Sequence, residues 1–215
     1  ELSHLEGDFR LRVGMLNPML VSGRSEAMAK AWGDSRVYKF MHLPIQSGSQ
    51  KILDSMVRDH TLEEFWEVVD VFRKYYPEMM IITDIITGFP GETDADHQDT
   101  VDLLNRLSPD LVNVTRFSPR KGTPASRYKR VHGRIVKKRS RELTSLRKEL
   151  GAKSFKRFVG RQTSILTVEN QKKGSTLCRD DNYRPIILKQ ELPIGEFYDV
   201  TITDSKYGFM TAVLV

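Results

Sequence analysis

The sequence predicts an α/β protein whose first part is an open, curved sheet of parallel strands and whose last part is a small antiparallel β-barrel. Up to about residue 128, short apolar runs alternate with amphipathic helical stretches, a pattern typical of parallel strands joined by right-handed crossovers. After Gly160 the helix signals stop, and β-rich runs follow one another at short spacing. Four parallel strands are too few to close a barrel, so the sheet is open or belongs to a larger one.

The clearest signals in the first part are the starts of two helices and the end of one strand. An apolar run begins at Met79 and stops at Gly88, and the turn that follows leads to Thr93, a good N-cap. Thr61 and Glu64 have the spacing of a capping box. The predicted elements are strand 11–16, helix 22–32, strand 37–45, a helix from Ser49, a helix from Thr61 to the residue before Pro77, strand 79–87, helix 94–107 and strand 111–117.

The second part begins with a long basic helix, predicted over 135–158, whose narrow apolar seam contains Leu143, Leu146 and Leu150. We therefore predict three units: the sheet over 1–128, a basic linker helix over 129–158 and the barrel over 159–215. The β-rich runs of the barrel are 163–168, 183–188, 198–203 and 209–214.

Composition argues against several classes of protein. One cysteine, Cys178, allows no internal disulfide and cannot by itself hold zinc or an iron–sulfur cluster. The five histidines are scattered, so we predict no metal site. No run of 18 apolar residues occurs, and the first residues lack the features of a signal peptide. These features predict a cytoplasmic protein without a membrane span, and the start is expected to be the middle of a longer chain.

Positive charge is concentrated between Arg127 and Arg161, where 14 cations and two anions give a local net charge of +12. The rest of the chain carries −6, so the overall +6 hides a strong segregation. A solvated helix face normally mixes both signs, and a polyanion partner is the simplest explanation for the excess. The segment lacks a continuous bulky apolar face, which favours nucleic acid over a membrane. A plain solvated face remains the alternative.

Polar residues cluster where three predicted strands end. In a parallel sheet these ends share one edge, which is where α/β proteins place their ligands. Gln and Ser side chains suit a ribose or a carboxylate, an arginine suits a carboxylate or phosphate, and backbone amides suit an adenine edge. The candidates are Gln46, Ser47 and Ser49 after the second strand, Asp84, Gly88 and Glu92 at the third, and Arg116, Ser118, Arg120 and Lys121 at the fourth.

Each candidate also has a structural interpretation. Asp84 could hold a loop amide, Glu92 could assist a helix cap, Arg116 could neutralise Asp84, and Ser47 could stabilise its own loop. Nucleophile motifs such as Gly-x-Ser-x-Gly are absent, as is the Gly-Lys-Ser/Thr ending of a phosphate-binding loop. We therefore predict no catalytic residue in this chain.

Three segments in order resemble motifs of the radical-SAM methylthiotransferases, most closely the archaeal and eukaryotic type that modifies threonylcarbamoyladenosine in tRNA. The segments are 42–49 (HLPIQSGS), 83–93 (TDIITGFPGET) and 116–124 (RFSPRKGTP). The last domain resembles a TRAM domain, a small RNA-binding barrel. The resemblance covers nearly the whole chain. It departs from the broader radical-SAM pattern where Asp84 replaces a glycine and Glu92 lies one residue late.

The resemblance implies a partial (half) TIM-like barrel, whose strands match the third to sixth of the family's six, followed by a TRAM/OB-like barrel. It implies S-adenosylmethionine and two [4Fe-4S] clusters in the full-length protein, held by cysteines that this chain lacks. We therefore expect a C-terminal part of the enzyme that is inactive by itself and binds no cofactor. An unmatched half-barrel edge at 11–16 would allow self-association.

The resemblance also implies a function: transfer of a methylthio group to C2 of N6-threonylcarbamoyladenosine near the anticodon. The alternative is a stand-alone RNA-binding module with a non-catalytic α/β scaffold. Tyr198 and Tyr207 are predicted to be exposed on the barrel, as is Tyr183, and to stack on bases. The predicted cofactor-binding residues are Gln46, Ser47, Asp84, Gly88, Glu92, Arg116 and Phe117, and the residues predicted to bind the tRNA anticodon arm are Lys121, Lys137, Lys138, Arg139 and Tyr183.

Overall fold

Parallel strands form the centre of the first half, which confirms the predicted fold class. The structure is a computed structural model that describes residues 5–171 and 174–215. Three strands lie side by side in chain order, and both neighbouring pairs are parallel. These strands are β1 (Phe40–His42), β2 (Met80–Thr87) and β3 (Leu111–Arg116).

Helices cover one face of this sheet and form the main hydrophobic core with it. Met41, Ile81, Ile85 and Val112 point from the strands into this core. Because side chains alternate along a strand, the neighbouring residues face the opposite side of the sheet. The helices of the first half are α1 (Pro18–Val21), α2 (Ser25–Ala31), α3 (Gln50–Ser55), α4 (Leu62–Tyr75) and α5 (Asp94–Leu107).

Both predicted helix starts are confirmed. The Thr61 hydroxyl accepts a hydrogen bond from the Glu64 amide, and the Glu64 carboxylate accepts one from the Thr61 amide. Thr93 caps α5 in the same reciprocal way with Asp96. The predicted helix 22–32 is shorter than expected, because Gly23 adopts a positive φ of 73° and separates α1 from α2.

A continuous strand over 11–16 was the wrong expectation. The segment is held at isolated parallel bridges between Leu11 and Val37 and between Met15 and His42. The neighbouring strand was predicted over 37–45, but β1 has only three residues. It is too short to pair with the whole of 11–16 in a continuous ladder of hydrogen bonds. The first segment therefore forms an irregular, extended edge.

The last part of the chain forms a closed five-stranded barrel with the strand order β4-β5-β6-β8-β7. Most neighbours are antiparallel, but β6 and β8 are parallel, so an entirely antiparallel barrel was wrong. The parallel pair arises because β7 pairs with β4 and leaves β8 to close the barrel against β6. The strands are β4 (Gln162–Gln171), β5 (Ser175–Asp180), β6 (Pro185–Leu188), β7 (Phe197–Lys206) and β8 (Phe209–Leu214), of which β5 was not predicted.

The long basic helix α6 (Gly133–Lys156) packs against the sheet through its apolar seam. Leu143 is fully buried in the main core, and Leu146 and Leu150 pack against that core. Near the end of the helix, Phe155 belongs instead to the barrel core, together with Phe40 from β1. The hydrophobic core of the barrel thus includes residues of the first half, and α6 contributes to both cores. The division into three units stays a prediction.

None of the helices within the described ranges combines the length and the apolar character that crossing a lipid bilayer would require. The predicted cytoplasmic location stays a prediction.

Candidate functional site

The carboxyl ends of the parallel strands lie side by side, so the predicted candidate loops share one edge of the sheet. Thr87 at the end of β2 pairs with Arg116 at the end of β3, and the Phe117 amide donates to the Thr87 carbonyl at 2.9 Å. On the other side of β2, the Gln46 amide donates to the Asp84 carbonyl at 2.9 Å. The shared edge predicted from the sequence is therefore confirmed.

A cavity of about 640 Å³ opens at this edge. Phe89 and Phe117 meet in it edge to face, with ring centroids 5.0 Å apart, and Tyr128, which is 48% exposed, contributes a third aromatic ring. Aromatic surface with a few polar groups is the usual lining of a small-molecule site. The lining residues are Ser55, Met56, Val57, Arg58, Ile86, Phe89, Thr115, Arg116, Phe117, Ser118, Arg120, Thr123, Pro124, Ala125 and Tyr128.

The charged residues that line this cavity are all arginines: Arg58, Arg116 and Arg120. Within the described residues none of the three guanidinium groups makes an ion pair or side-chain hydrogen bond, and all three side chains are exposed. Among the predicted cofactor-binding residues, only Arg116 and Phe117 line the cavity. Arg58 and Tyr128 were not singled out, because neither follows a strand end in the sequence.

Asp84 lies on the face of the sheet opposite the main core, within a small polar cluster. Nε2 of His42 is 3.2 Å from both carboxylate oxygens, and the Asn113 amide donates to Oδ1 at 2.7 Å. Burial would raise the pKa of Asp84, but the hydrogen bonds from His42 and Asn113 outweigh it and lower that pKa. These partners, rather than Arg116, satisfy Asp84, and neither was recognised in the sequence.

The Glu92 carboxylate has protein partners in this structure, and its predicted role in cofactor binding stays a prediction. Its side chain is 2% exposed and accepts a hydrogen bond from the Gly88 amide at 2.9 Å. Arg139 donates to the same oxygen at 2.7 Å. Gly88 has a φ of 78°, and a Cβ there would lie 2.7 Å from Val136 of α6. The Gly88 loop is thereby fixed against α6, and its amide has a protein acceptor.

Arg139 was predicted to bind RNA; that role stays a prediction, and in this structure its guanidinium group faces protein partners. Its side chain is 5% exposed and binds the Glu92 carboxylate, the Glu92 carbonyl and the Asp94 carboxylate. Burial would lower the pKa of Arg139, but the hydrogen bonds to Asp94 and Glu92 raise it. The residue therefore links α6 to the Gly88 loop instead of facing solvent.

The loop after β1 is also packed inward. Ser47 is 1% exposed and accepts a hydrogen bond from the Ser49 amide at 3.2 Å, which favours its structural interpretation. The Ser49 hydroxyl donates to Asp96 of α5 at 2.7 Å. A Cβ on Gly48 would lie 2.3 Å from the Asp99 carbonyl oxygen, so only glycine allows this close approach. Gln46, with a φ of 73°, faces a different, smaller groove that contains Met15 and His60.

A strongly basic surface extends from the cavity along the first turns of α6. It begins at a shallow groove that shares Tyr128 with the cavity and also contains Lys129, Arg130 and His132. Lys137 and Lys138, both predicted to bind RNA, are exposed on the helix, and Lys121 is exposed in the loop after β3. We define the basic surface as the exposed cations Lys121, Arg127, Lys129, Arg130, Arg134, Lys137, Lys138 and Arg141.

The three tyrosines predicted to be exposed on the barrel are partly buried, so that expectation was wrong. Tyr183 packs against Tyr38 and Phe40 with ring centroids 5.0 Å away in each case. Tyr207 packs against α6 at Gly151, where a Cβ would be 2.6 Å from its ring. Tyr183 fills the junction between barrel and sheet, which leaves less of its ring for base stacking.

Within the described residues, no group of three or more His, Cys, Asp or Glu side chains is arranged to hold a metal ion. Cys178 lies buried on β5, and burial raises the pKa of its thiol to about 11. A buried neutral thiol is a poor metal ligand, because thiolates are the coordinating species.

Comparison with known proteins gives the class of the fold first. Residues 7–104 match the family model of the Radical SAM superfamily. Coproporphyrinogen III oxidase (HemN) from Escherichia coli, described as a radical SAM enzyme, has the same fold, with a TM-score of 0.52 and 15% identity. The match covers 71% of this chain and 34% of that protein. The parallel sheet thus has the fold seen in a radical SAM enzyme, and the family match covers the chain into α5.

Proteins with higher sequence identity to this chain point to one group within that superfamily. The chain is 41% identical over its whole length to a probable threonylcarbamoyladenosine tRNA methylthiotransferase from Archaeoglobus fulgidus. It is 33% identical over 93% of its length to the human threonylcarbamoyladenosine tRNA methylthiotransferase. The match covers 50% of the archaeal protein and 34% of the human one, so this chain spans about half or less of the relatives' length. The chain is thus similar over nearly its whole length to threonylcarbamoyladenosine tRNA methylthiotransferases, which confirms the resemblance seen in its motifs.

Proposed function

We propose that this chain is the part of a tRNA-modifying radical-SAM methylthiotransferase that holds nucleosides at the sheet edge and tRNA on the basic surface. The reaction of the whole enzyme would replace the C2 hydrogen of N6-threonylcarbamoyladenosine, near the anticodon, with a methylthio group. The observation that carries the proposal is the continuity between the aromatic cavity and the basic groove, which share Tyr128. The whole-length similarity to threonylcarbamoyladenosine tRNA methylthiotransferases supports the substrate.

The residues of this chain fit one implied cofactor but not the other. The cavity at the strand ends has the size and aromatic lining expected for a nucleoside, whether the adenosyl part of S-adenosylmethionine or the adenosine of the substrate. An iron–sulfur cluster requires several thiolates, whereas the chain has one cysteine, which is buried in the barrel. We therefore expect these 215 residues by themselves to lack methylthiotransferase activity. We assign the two predicted clusters to other parts of the full-length enzyme.

RNA binding to the basic surface tests the proposal. We expect an anticodon stem-loop RNA to bind this chain, because exposed cations displace counterions from phosphates. Replacing Lys137 and Lys138 with alanine is expected to weaken binding and to reduce the slope of log affinity against log salt by about 1 for each phosphate that is no longer neutralised. Fluorescence anisotropy over a salt series measures both quantities.

The matched control replaces Lys30 and Lys74 with alanine. This variant also loses two positive charges, but both lysines lie outside the basic surface, on helices α2 and α4. Lys74 forms an exposed ion pair with Glu26, so its replacement costs little stability. The control is expected to keep nearly the full affinity and salt slope. Equal losses of affinity in both double variants would refute a specific basic surface, and a salt-independent affinity would refute binding through phosphates.

We also propose that the irregular edge of the sheet supports self-association. Met15 and Leu20 are each 66% exposed, and Met19 is 40% exposed, beside a segment whose backbone is held only at isolated bridges. Unpaired strand edges with exposed apolar side chains tend to pair with other chains. We expect the molar mass from light scattering to rise with concentration for this chain. Replacing Met15 and Leu20 with lysine is expected to abolish the rise, and a strictly monomeric wild type would contradict the proposal.

A further inference from the structure

We propose that Arg116, flanked by Arg58 and Arg120, binds a carboxylate carried on the substituent of the modified adenine, and so selects this base over uncharged ones. The inference rests on the proposed function, since it takes the base to be the one named in the relatives, N6-threonylcarbamoyladenosine. The threonyl part of that group ends in a carboxylate and a hydroxyl. The cavity must therefore accommodate a purine, a short polar arm and one negative charge.

The charge of the cavity favours an anion. Arg58, Arg116 and Arg120 line it together, and no Asp or Glu is among the lining residues. Two other cations near this edge have protein carboxylates as partners: Arg139 binds Glu92 and Asp94, and Lys51 binds Asp96 at 2.6 Å. Three arginines left without a protein carboxylate in the described residues make a site that an external carboxylate would complete. Arginine binds carboxylates in a bidentate manner, which adds geometric selectivity.

The position of Arg116 makes it the best placed of the three. It is the last residue of β3, and the backbone on both sides is fixed, because Arg116 pairs with Thr87 and the next amide donates to the Thr87 carbonyl. Side chains that project from a regular element are held more precisely than those on loops. Arg58 lies in the loop after α3 and Arg120 in the loop after β3, where they can adjust to the ligand.

The rest of the lining matches a purine with a polar arm. Phe117 and Tyr128 offer aromatic surface, which stacks on unpaired bases in many RNA-binding proteins, and the buried Phe89 supports the Phe117 ring from behind. Ser118 and Thr123 also line the cavity. The Thr123 hydroxyl donates to the Arg120 carbonyl at 2.8 Å and keeps its acceptor capacity, so it can accept a hydrogen bond from the arm, and Ser118 supplies a second hydroxyl.

Backbone strain at the rim adds an independent observation. Val57 has a φ of 55° and is 76% exposed. A β-branched residue rarely adopts this conformation, and strain of this kind concentrates at ligand sites. Here the strained residue immediately precedes Arg58 and lines the same cavity.

The test compares three anticodon stem-loop RNAs that differ at one adenine: unmodified, N6-threonylcarbamoyl, and the same group with its carboxylate converted to an amide. We expect the wild-type chain to bind the carboxylate form about tenfold more tightly than the amide form. In Arg116→Gln the ratio of the two affinities is expected to fall towards one. In the control Arg134→Gln, an exposed cation outside the cavity, all three RNAs are expected to weaken equally and the ratio to persist.

The outcomes separate this inference from the proposed function. RNA binding without discrimination in the wild type, or discrimination that survives Arg116→Gln, overturns the carboxylate site and leaves tRNA binding intact. Failure of all three RNAs to bind at low salt refutes the proposed function itself. A parallel titration with S-adenosylmethionine distinguishes the other source of a carboxylate: if Arg116→Gln weakens only that ligand, the arginine belongs to the cofactor and the inference is wrong.

Discussion

Replacing Arg139 with alanine is expected to lower the free energy of unfolding by about 3–5 kcal/mol, because the change would leave a buried carboxylate without its partner. The Glu92 side chain is 2% exposed, and Arg139 donates to it at 2.7 Å. The same guanidinium bonds the Glu92 carbonyl and the Asp94 carboxylate, so the start of α5 and the Gly88 loop would also lose an anchor. Urea denaturation followed by tryptophan fluorescence measures the change, since Trp32 lies in the main core.

A neighbouring residue provides the control for this prediction. Lys138 precedes Arg139 on α6 but is exposed, and its replacement with alanine is expected to change stability by no more than about 0.5 kcal/mol. The double variant Glu92→Gln/Arg139→Met removes both charges and is expected to recover part of the stability. If Arg139→Ala and Lys138→Ala cost the same, the buried pair contributes nothing specific and our description of the Gly88 loop is wrong.

The position of Arg139 also shows the limit of reading the sequence by charge. A net charge counts every cation in a segment, but it does not distinguish residues that face solvent from those that face the core. Arg139 is four residues before Leu143 and seven before Leu146, so the helical period places it on the apolar face of α6. That spacing was visible in the sequence. The identity of its partner, Glu92, depends on how α6 packs and could not be deduced.

Local patterns predicted the parallel sheet well, because the capping residues, apolar runs and glycine turns agree with one another. The pairing of distant segments was less predictable. Strand β5 contains Thr176, Cys178 and Asp180 at alternate positions that turn out to be buried, and this polar inward face hid the strand from a search for apolar runs. The parallel pairing of β6 with β8 depends on which strand closes the barrel, which no local pattern encodes.

The residues of the candidate site also fall into those that local sequence patterns predict and those that depend on the pairing of distant segments. The ends of the strands could be predicted from the sequence, and two candidates chosen on that basis, Arg116 and Phe117, do line the cavity. The cluster of Asp84 with His42 and Asn113 required the register of three strands, in which His42 pairs with Ile82 and Asp84 pairs with Asn113. Register is set by long-range packing, so the partners of Asp84 could be found only in the structure.

Replacing Arg184 with alanine is expected to have a comparable effect, about 3–5 kcal/mol of stability, and to loosen the barrel from the sheet. Arg184 is 1% exposed, donates to the buried Asp180 carboxylate at 3.1 Å and bonds the carbonyl of Glu78 just before β2. Its guanidinium also lies 4.0 Å from the centroid of the Phe158 ring. One side chain thus joins the barrel, the segment after α6 and the sheet.

An exposed arginine at the same junction is the matched control. Arg161 binds the Glu78 carboxylate at 2.7 Å, but both side chains are about half exposed, so its replacement with alanine is expected to cost less than about 1 kcal/mol. Differential scanning calorimetry and limited proteolysis would follow the two variants. For Arg184→Ala we expect a lower melting temperature and new cleavage between α6 and β4, because the side chain that ties this segment to the barrel and the sheet is missing. A single transition at the wild-type temperature would show that the barrel is held mainly by the shared apolar core around Phe40 and Phe155, and not by the buried arginine.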